Sequence, residues 1–262
     1  MRWVRDTSGR LPERPHFMPA EIDAQCESLV AGFLRERHGG VRYPLETNDL
    51  VVLLERHAFD LDLYADLEFE GPGVEGVTEF VPGEGPRVLI ARHLTEQPAR
   101  ENRLRTTLAH ELGHVTLHGF LWAAGPPGQP GRARGVAGAA PALWPRCRRT
   151  TMLGARPADW LEWQAGYASG AFLMPVSVLA RVAEGALPAG PSGRPGGGLV
   201  AGTAAAQRLV RRVQQTFLVS RAAAQVRLVA LGYVTEQPRA RLASGPVAFT
   251  RARRAKYARF GA

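Results

Sequence analysis

Five residues near the middle of the chain, His110-Glu111-Leu112-Gly113-His114, constrain its fold more than any other feature. Residues i and i+4 lie one above the other on a single face of an α-helix, so the two imidazoles converge only if this segment is helical. The preceding run, RLRTTLA at 103–109, continues a helical pattern, and Leu108, Leu112 and Val115 can form its buried side. Two neutral imidazoles at this spacing suit a zinc ion, which takes such nitrogens at about 2.0–2.1 Å. Glu111 is rotated off the line of the histidines but remains beside the same point. A carboxylate there can take a proton from water and later pass it to a leaving amine.

A catalytic zinc needs a third protein ligand and one open position. His118 lies eight residues beyond His110, about 12 Å along a straight helix, which is too far for the same metal. A supporting or substrate-facing role suits it better, and capping of the helix end is the plainer alternative. Farther along the chain, Glu162, Asp159 and Glu184 all compete for the third position. Tyr167, His118 and Arg148 are candidates to stabilise the oxyanion that amide hydrolysis creates.

Around this centre the pattern predicts an α+β chain. Residues 1–18, rich in Pro and Arg, read as an arm, and 19–185 as the main domain. A helix is expected from Pro19, with Ile22, Cys26, Leu29, Val30, Phe33 and Leu34 at helical spacing. Thr47 or Asn48 can cap a second helix running to about 57. DLDLYADL at 60–67 alternates like a half-buried strand, and 76–81 with 87–91 reads as a hairpin. A helix over 98–118, a Gly/Pro/Ala-rich loop over 119–145 and a helix over 159–183 complete the domain. A Gly/Pro linker occupies 186–203, two short helices fill 204–235, and 236–262 is a basic tail.

Charge follows the same division. The formal net charge is +9, and Lys256 is the only lysine among arginines, as codon bias would produce. Bias does not explain the distribution: residues 201–262 carry twelve basic residues against one acid, Glu236, while 1–200 carry 21 against 23. Such asymmetry points to a module facing a polyanion or a partner. The start of the chain has no apolar signal-like segment, and no run of 18 apolar residues exists, so a cytoplasmic protein with no membrane partner is expected. Two cysteines exclude a disulfide scaffold. Cys26 suits a core helix face. Cys147 stands between arginines, which favour a thiolate able to occupy the open position of a metal.

The runs RLRTTLAHELGHVTLHG and EWQAGYASGAFLMP together resemble the ImmA/IrrE family of intracellular zinc metallo-endopeptidases. The second run matches the family's helix after HExxH at Glu162, Ala165, Leu173, Met174 and Pro175. The resemblance covers roughly residues 20–185. It implies a thermolysin-like (gluzincin-type) metal site beside a short twisted sheet. It further implies Zn2+ held by His110, His114 and Glu162, with Glu111 as the catalytic base. An edge strand of such a sheet can hold an extended substrate by strand addition. The implied activity is cleavage of a protein substrate, a helix-turn-helix repressor, which derepresses genes of a mobile element or a stress response. The chain departs from the family at position 166, where Gly replaces the usual Asn or Asp and removes a partner that orients a ligand. Asp159 is a possible substitute. The long gap between His114 and Glu162 reads as an insertion.

The segment 207–234 reads as helix, tight turn, helix, and F-x-V-S-x-x-A-x-x-x-R-L-x-x-L-G resembles the helix-turn-helix that follows the peptidase domain in this family. Ser220 can cap its second helix, with Ala223, Val226, Leu228 and Leu231 packing inward. As a DNA reader that helix would offer Arg221, Gln225 and Arg227 to the major groove. The alternative function is therefore a DNA-binding regulator with a structural or vestigial metal site. A helical module that binds protein, or packs on the main domain, is the other reading of the same segment.

Overall fold

The computed structural model describes residues 1–81, 83–122, 145–148, 159–187 and 198–235, with 146–148 described by their backbone. The fold is mixed α+β. The arm expected at the start is a hairpin instead: β1 (Arg2–Arg5) pairs antiparallel with β2 (Glu13–His16), Trp3 opposite Pro15. Its turn is tied by Asp6, whose carboxylate accepts from the backbone N–H groups of Ser8 and Leu11 at 2.9 and 3.0 Å. Leu11 is buried with Phe80, Leu121, Trp122, Trp160 and Leu161, so apolar contact holds the hairpin to the body.

α1 (Pro19–His38) starts at a proline, which needs no N–H partner in the first turn. The Glu21 carboxylate accepts from Met18 N–H at 2.8 Å and closes that turn. Ile22, Cys26, Val30, Phe33 and Leu34 form the buried stripe that helical spacing predicts. α2 (Thr47–His57) follows, with Glu46 rather than Thr47 or Asn48 at the cap position, and packs Leu50, Leu53 and Leu54 inward.

The sheet has the order β3-β5-β4-β6. β3 (Asp60–Ala65) runs parallel to β5 (Arg87–Ala91), while β4 (Val74–Glu79) and β5 form the antiparallel hairpin expected from the sequence. A short helix, α3 (Arg92–Thr95), leads from β5 towards α4 (Glu101–His118). β6 (Arg146–Arg148) pairs antiparallel with β4, Cys147 opposite Gly76. Val88 and Ile90 of β5 face the helices and join Leu108 and Leu112 of α4 in the main core.

α5 (Trp160–Leu173) packs along α4. The approach is close because Gly113 has no side chain: a Cβ there would stand 3.0 Å from Ala165 Cα. The single helix expected over 159–183 breaks at Pro175, and α6 (Val176–Ala183) leaves at 58° to α5. Proline's missing N–H and its clash with the preceding residue account for the break. Among the described residues no single helix is long and apolar enough to cross a membrane.

The expected linker is described only at its ends. There β7 (Leu199–Val200) pairs parallel with β8 (Val234–Thr235), bracketing α7 (Ala204–Phe217) and α8 (Arg221–Ala230). Ser220 caps α8 as expected, its hydroxyl accepting from Ala223 N–H at 3.1 Å. Val226, expected to pack inward, is exposed. Leu209, Val213, Phe217, Ala224 and Leu228 share one core cluster with α1, α4 and α5. Arg105 of α4 reinforces this junction by donating to Leu45 O at 2.5 Å, Phe217 O at 3.1 Å and Leu218 O. Orphan carbonyls after the last turn of α7 are thereby satisfied by the main body. The basic tail, 236–262, lies outside the described residues.

Candidate metal centre

His110 and His114 sit where the helical spacing predicts, on one face of α4, and both are fully buried. That excludes the reading in which the histidines merely face solvent. Glu162, in the first turn of α5, points at both: Oε2 lies 3.3 Å from His110 Nε2 and Oε1 lies 3.4 Å from His114 Nε2. The two Nε2 atoms are 3.1 Å apart. A tetrahedron with arms of about 2.0–2.1 Å has ligand–ligand edges of about 3.3–3.4 Å. The two nitrogens stand near that edge length, the carboxylate straddles them with one oxygen towards each, and one ligand atom from each of the three residues lies within 4.8 Å of the others, within reach of a single ion. Among the described residues, His110, His114 and Glu162 form a buried group that could hold a metal ion.

The electrostatics favour a cation. Burial by itself would raise the Glu162 carboxyl pKa, but the hydrogen bonds from His110 and His114 hold it well below the usual carboxylate range. Burial likewise opposes the charge on His114, yet the Glu162 carboxylate raises its pKa overall. The same concentrated negative charge that favours a proton at this point favours a metal in its place.

Glu111 is completely buried against β4. Burial pushes its pKa upward, countered by His114, His110 and a hydrogen bond from Thr78. The Thr78 hydroxyl donates to Oε2 at 2.5 Å, while Oε1 has no partner among the described residues. One oxygen is thus anchored and the other is available. Thr78 escapes sequence reading because it follows Gly76 by two positions on a strand. That period-2 relation aims both at α4, but only the tertiary pairing shows what they meet.

His118 is not a metal ligand, as its distance along the helix predicts. It lies behind His114, Nδ1 to Nδ1 at 3.2 Å, and its Nε2 lies 2.9 Å from Gln164 Oε1. Burial, with His114 adding to it, pushes its pKa down to about 3, so it is neutral. With both nitrogens engaged it is no oxyanion donor. Tyr167 is not one either: its hydroxyl donates to Asp23 Oδ2 at 2.9 Å, Arg227 stacks on its ring, and burial pushes its pKa up to about 12. Asp159 pairs with Arg10 at 2.6 Å rather than with a ligand histidine, so it does not replace the partner absent at position 166. For Arg148 and Cys147 the structure describes only their backbone, in β6.

Strand β4, which lies against Glu111, is flanked by β5 and β6, and the sheet edges among the described residues are β3 and β6. Arg227, expected to face DNA, is buried: it donates to Met174 O at 3.1 Å and pairs with Asp23 at 2.6 Å. Arg221 and Gln225 remain exposed on α8. No protein-family model matches this chain, and no curated protein matches it.

Proposed function

We propose that this chain is a zinc-dependent endopeptidase. The observation that supports it most is the convergence of three buried side chains, His110, His114 and Glu162, whose ligand atoms lie within 4.8 Å of one another, beside a second, non-ligating carboxylate, Glu111. Zinc held there supplies Lewis-acid chemistry towards an amide carbonyl and towards water. Glu111 is the residue that moves the proton. Its free Oε1 accepts it, while the Thr78 hydroxyl fixes Oε2 and with it the plane of the carboxyl. Burial of Glu111 raises its basicity above that of a surface carboxylate, which suits a base that must hold a proton and then release it.

The substrate class rests on the resemblance to ImmA/IrrE peptidases: a helix-turn-helix repressor, cleaved in the cytoplasm. Strand addition of an extended substrate segment would use a sheet edge, which among the described residues is β3 or β6, rather than β4. The DNA-binding alternative loses one of its three base-facing side chains with Arg227, which serves the junction between α1, α5 and α8. The test is incubation of the zinc-loaded chain with the repressor encoded beside it, in parallel with Glu111→Gln. Cleavage by the wild type alone is expected, with zinc content equal in both. Cleavage by the Gln variant, or none by either, would overturn the proposal.

A further inference from the structure

We infer that His118 and Gln164 are positioning residues for the metal ligand His114, in a hydrogen-bond chain whose direction is set by the backbone carbonyl of Pro15. This inference rests on the metal-centre reading above. The chain runs His114 Nδ1 to His118 Nδ1 at 3.2 Å, His118 Nε2 to Gln164 Oε1 at 2.9 Å, and Gln164 Nε2 to Pro15 O at 3.0 Å. His114, His118 and Gln164 are all fully buried, so water does not compete for these atoms.

The polarity follows from the far end. A carbonyl oxygen only accepts, so the Gln164 amide nitrogen must face Pro15 and donate. That turns the amide oxygen towards His118, whose Nε2 must then carry a proton. A neutral imidazole has one donor and one acceptor, so His118 Nδ1 accepts. His114 Nδ1 must therefore be the donor, so in the neutral imidazole that a metal requires the lone pair sits on Nε2, the atom that faces Glu162 and His110. Four groups in sequence fix one tautomer, and it is the tautomer that binds metal. His110 has no such support: its Nδ1 has no partner among the described residues.

The arrangement also explains two positions. Gln164 stands two residues after the ligand Glu162 on α5, so one helix carries both a ligand and the support of another ligand. Pro15 lies on β2, so the hairpin at residues 2–16 completes the site instead of trailing from it.

The experiment uses the full chain and three variants: His118→Leu and Gln164→Met, which break the chain, and His118→Gln, which can still accept from His114 and donate to Gln164. Zinc affinity is measured by competition with a chromophoric chelator, the ligand field by the visible spectrum of the Co2+-substituted protein, and folding by thermal unfolding without metal. Zinc affinity is expected to fall about 10–100-fold in the Leu and Met variants, as loss of a ligand's hydrogen-bond partner does elsewhere. Their cobalt bands should change shape, and His118→Gln should recover most of the affinity. Wild-type affinity and cobalt spectra in both breaking variants would overturn the inference, even if their unfolding temperatures fell. Should His118→Leu fail to fold, Gln164→Met decides alone. A wild-type chain that binds zinc but cleaves nothing would sink the peptidase reading and leave this one intact. A wild-type chain that binds neither zinc nor cobalt would sink both.

Discussion

Gly76 and Glu111 are fitted to each other: the carboxyl of Glu111 fills the space where a side chain at position 76 would begin. A Cβ there would stand 2.9 Å from Glu111 Cδ and 2.9 Å from Thr107 Cγ2, and nearer still to Oε1. Thr78, two residues along the same strand, holds the other oxygen. Strand β4 thus supplies both the space and the anchor for the one carboxylate that the metal does not need.

Gly76→Ala should therefore leave the metal site loaded but displace Glu111. Misplacing a reacting group by about 1 Å can cost around 100-fold in rate. A fall of that order in kcat/KM for peptide cleavage is expected, with zinc content unchanged. Unimpaired cleavage by a folded, zinc-loaded Gly76→Ala protein would show that Glu111 is not held in this way.

If the proposed metal is bound, its removal should destabilise the chain, because the three buried side chains lie within reach of one ion. A ligand present at 100 times its dissociation constant stabilises by about 2.7 kcal/mol. At this chain length that corresponds to about 5–10 °C in Tm. A strong chelator should lower the wild-type Tm by that amount and leave His110→Ala unmoved. Equal shifts in both would mean that the chelator acts elsewhere.

Arg227 should matter for stability rather than for duplex binding. Breaking a buried ion pair by removing one partner typically costs about 3–5 kcal/mol. Because Asp23 keeps slight solvent access, about 3 kcal/mol is expected for Arg227→Leu, read from denaturant midpoints. Arg221→Ala and Gln225→Ala, at exposed positions of α8, should stay within about 0.5 kcal/mol of the wild type. A stable Arg227→Leu protein with weakened DNA binding would restore the base-reading role.

The histidine pair of the candidate metal centre is legible because it is written in local spacing. The interval between His110 and His114 dictates their shared face, while Leu108, Leu112 and Val115 pack into the core from the rest of a helix that is buried on every side. Glu162 required a resemblance, since Asp159 and Glu184 carry the same chemistry and only packing at Gly113 decides which carboxylate arrives. Thr78 and Gln164 were missed for a related reason: each is an ordinary polar residue until the fold sets it against a charged or imidazole partner. The first seventeen residues misled through composition. Pro and Arg suggested an arm, but Leu11 and Phe17 bury, and Asp6 closes a turn that no hydrophobic period announces. Arg227 misled because an arginine on a helix is usually solvated, and its partner Asp23 lies about two hundred positions away.

Asp6 gives the β1–β2 hairpin a pH-dependent stability. Burial alone would raise its pKa, but the hydrogen bonds it accepts from the Ser8 side chain and from the Ser8 and Leu11 backbone hold it below the ordinary value. A carboxylate whose pKa is lowered on folding stabilises the folded state fully above the unfolded pKa, about 3.9 for aspartate. That contribution fades as pH falls through the unfolded value towards the lowered one. The stability difference between wild type and Asp6→Asn should thus be constant above about pH 5 and shrink progressively below about pH 4. Urea unfolding of both proteins across this range measures it. Since the hairpin that Asp6 closes carries Pro15, zinc affinity of Asp6→Asn at neutral pH should fall in the same direction as in Gln164→Met, though less far. A pH-independent stability difference would mean that the turn is held by its backbone and by Leu11 rather than by the Asp6 charge.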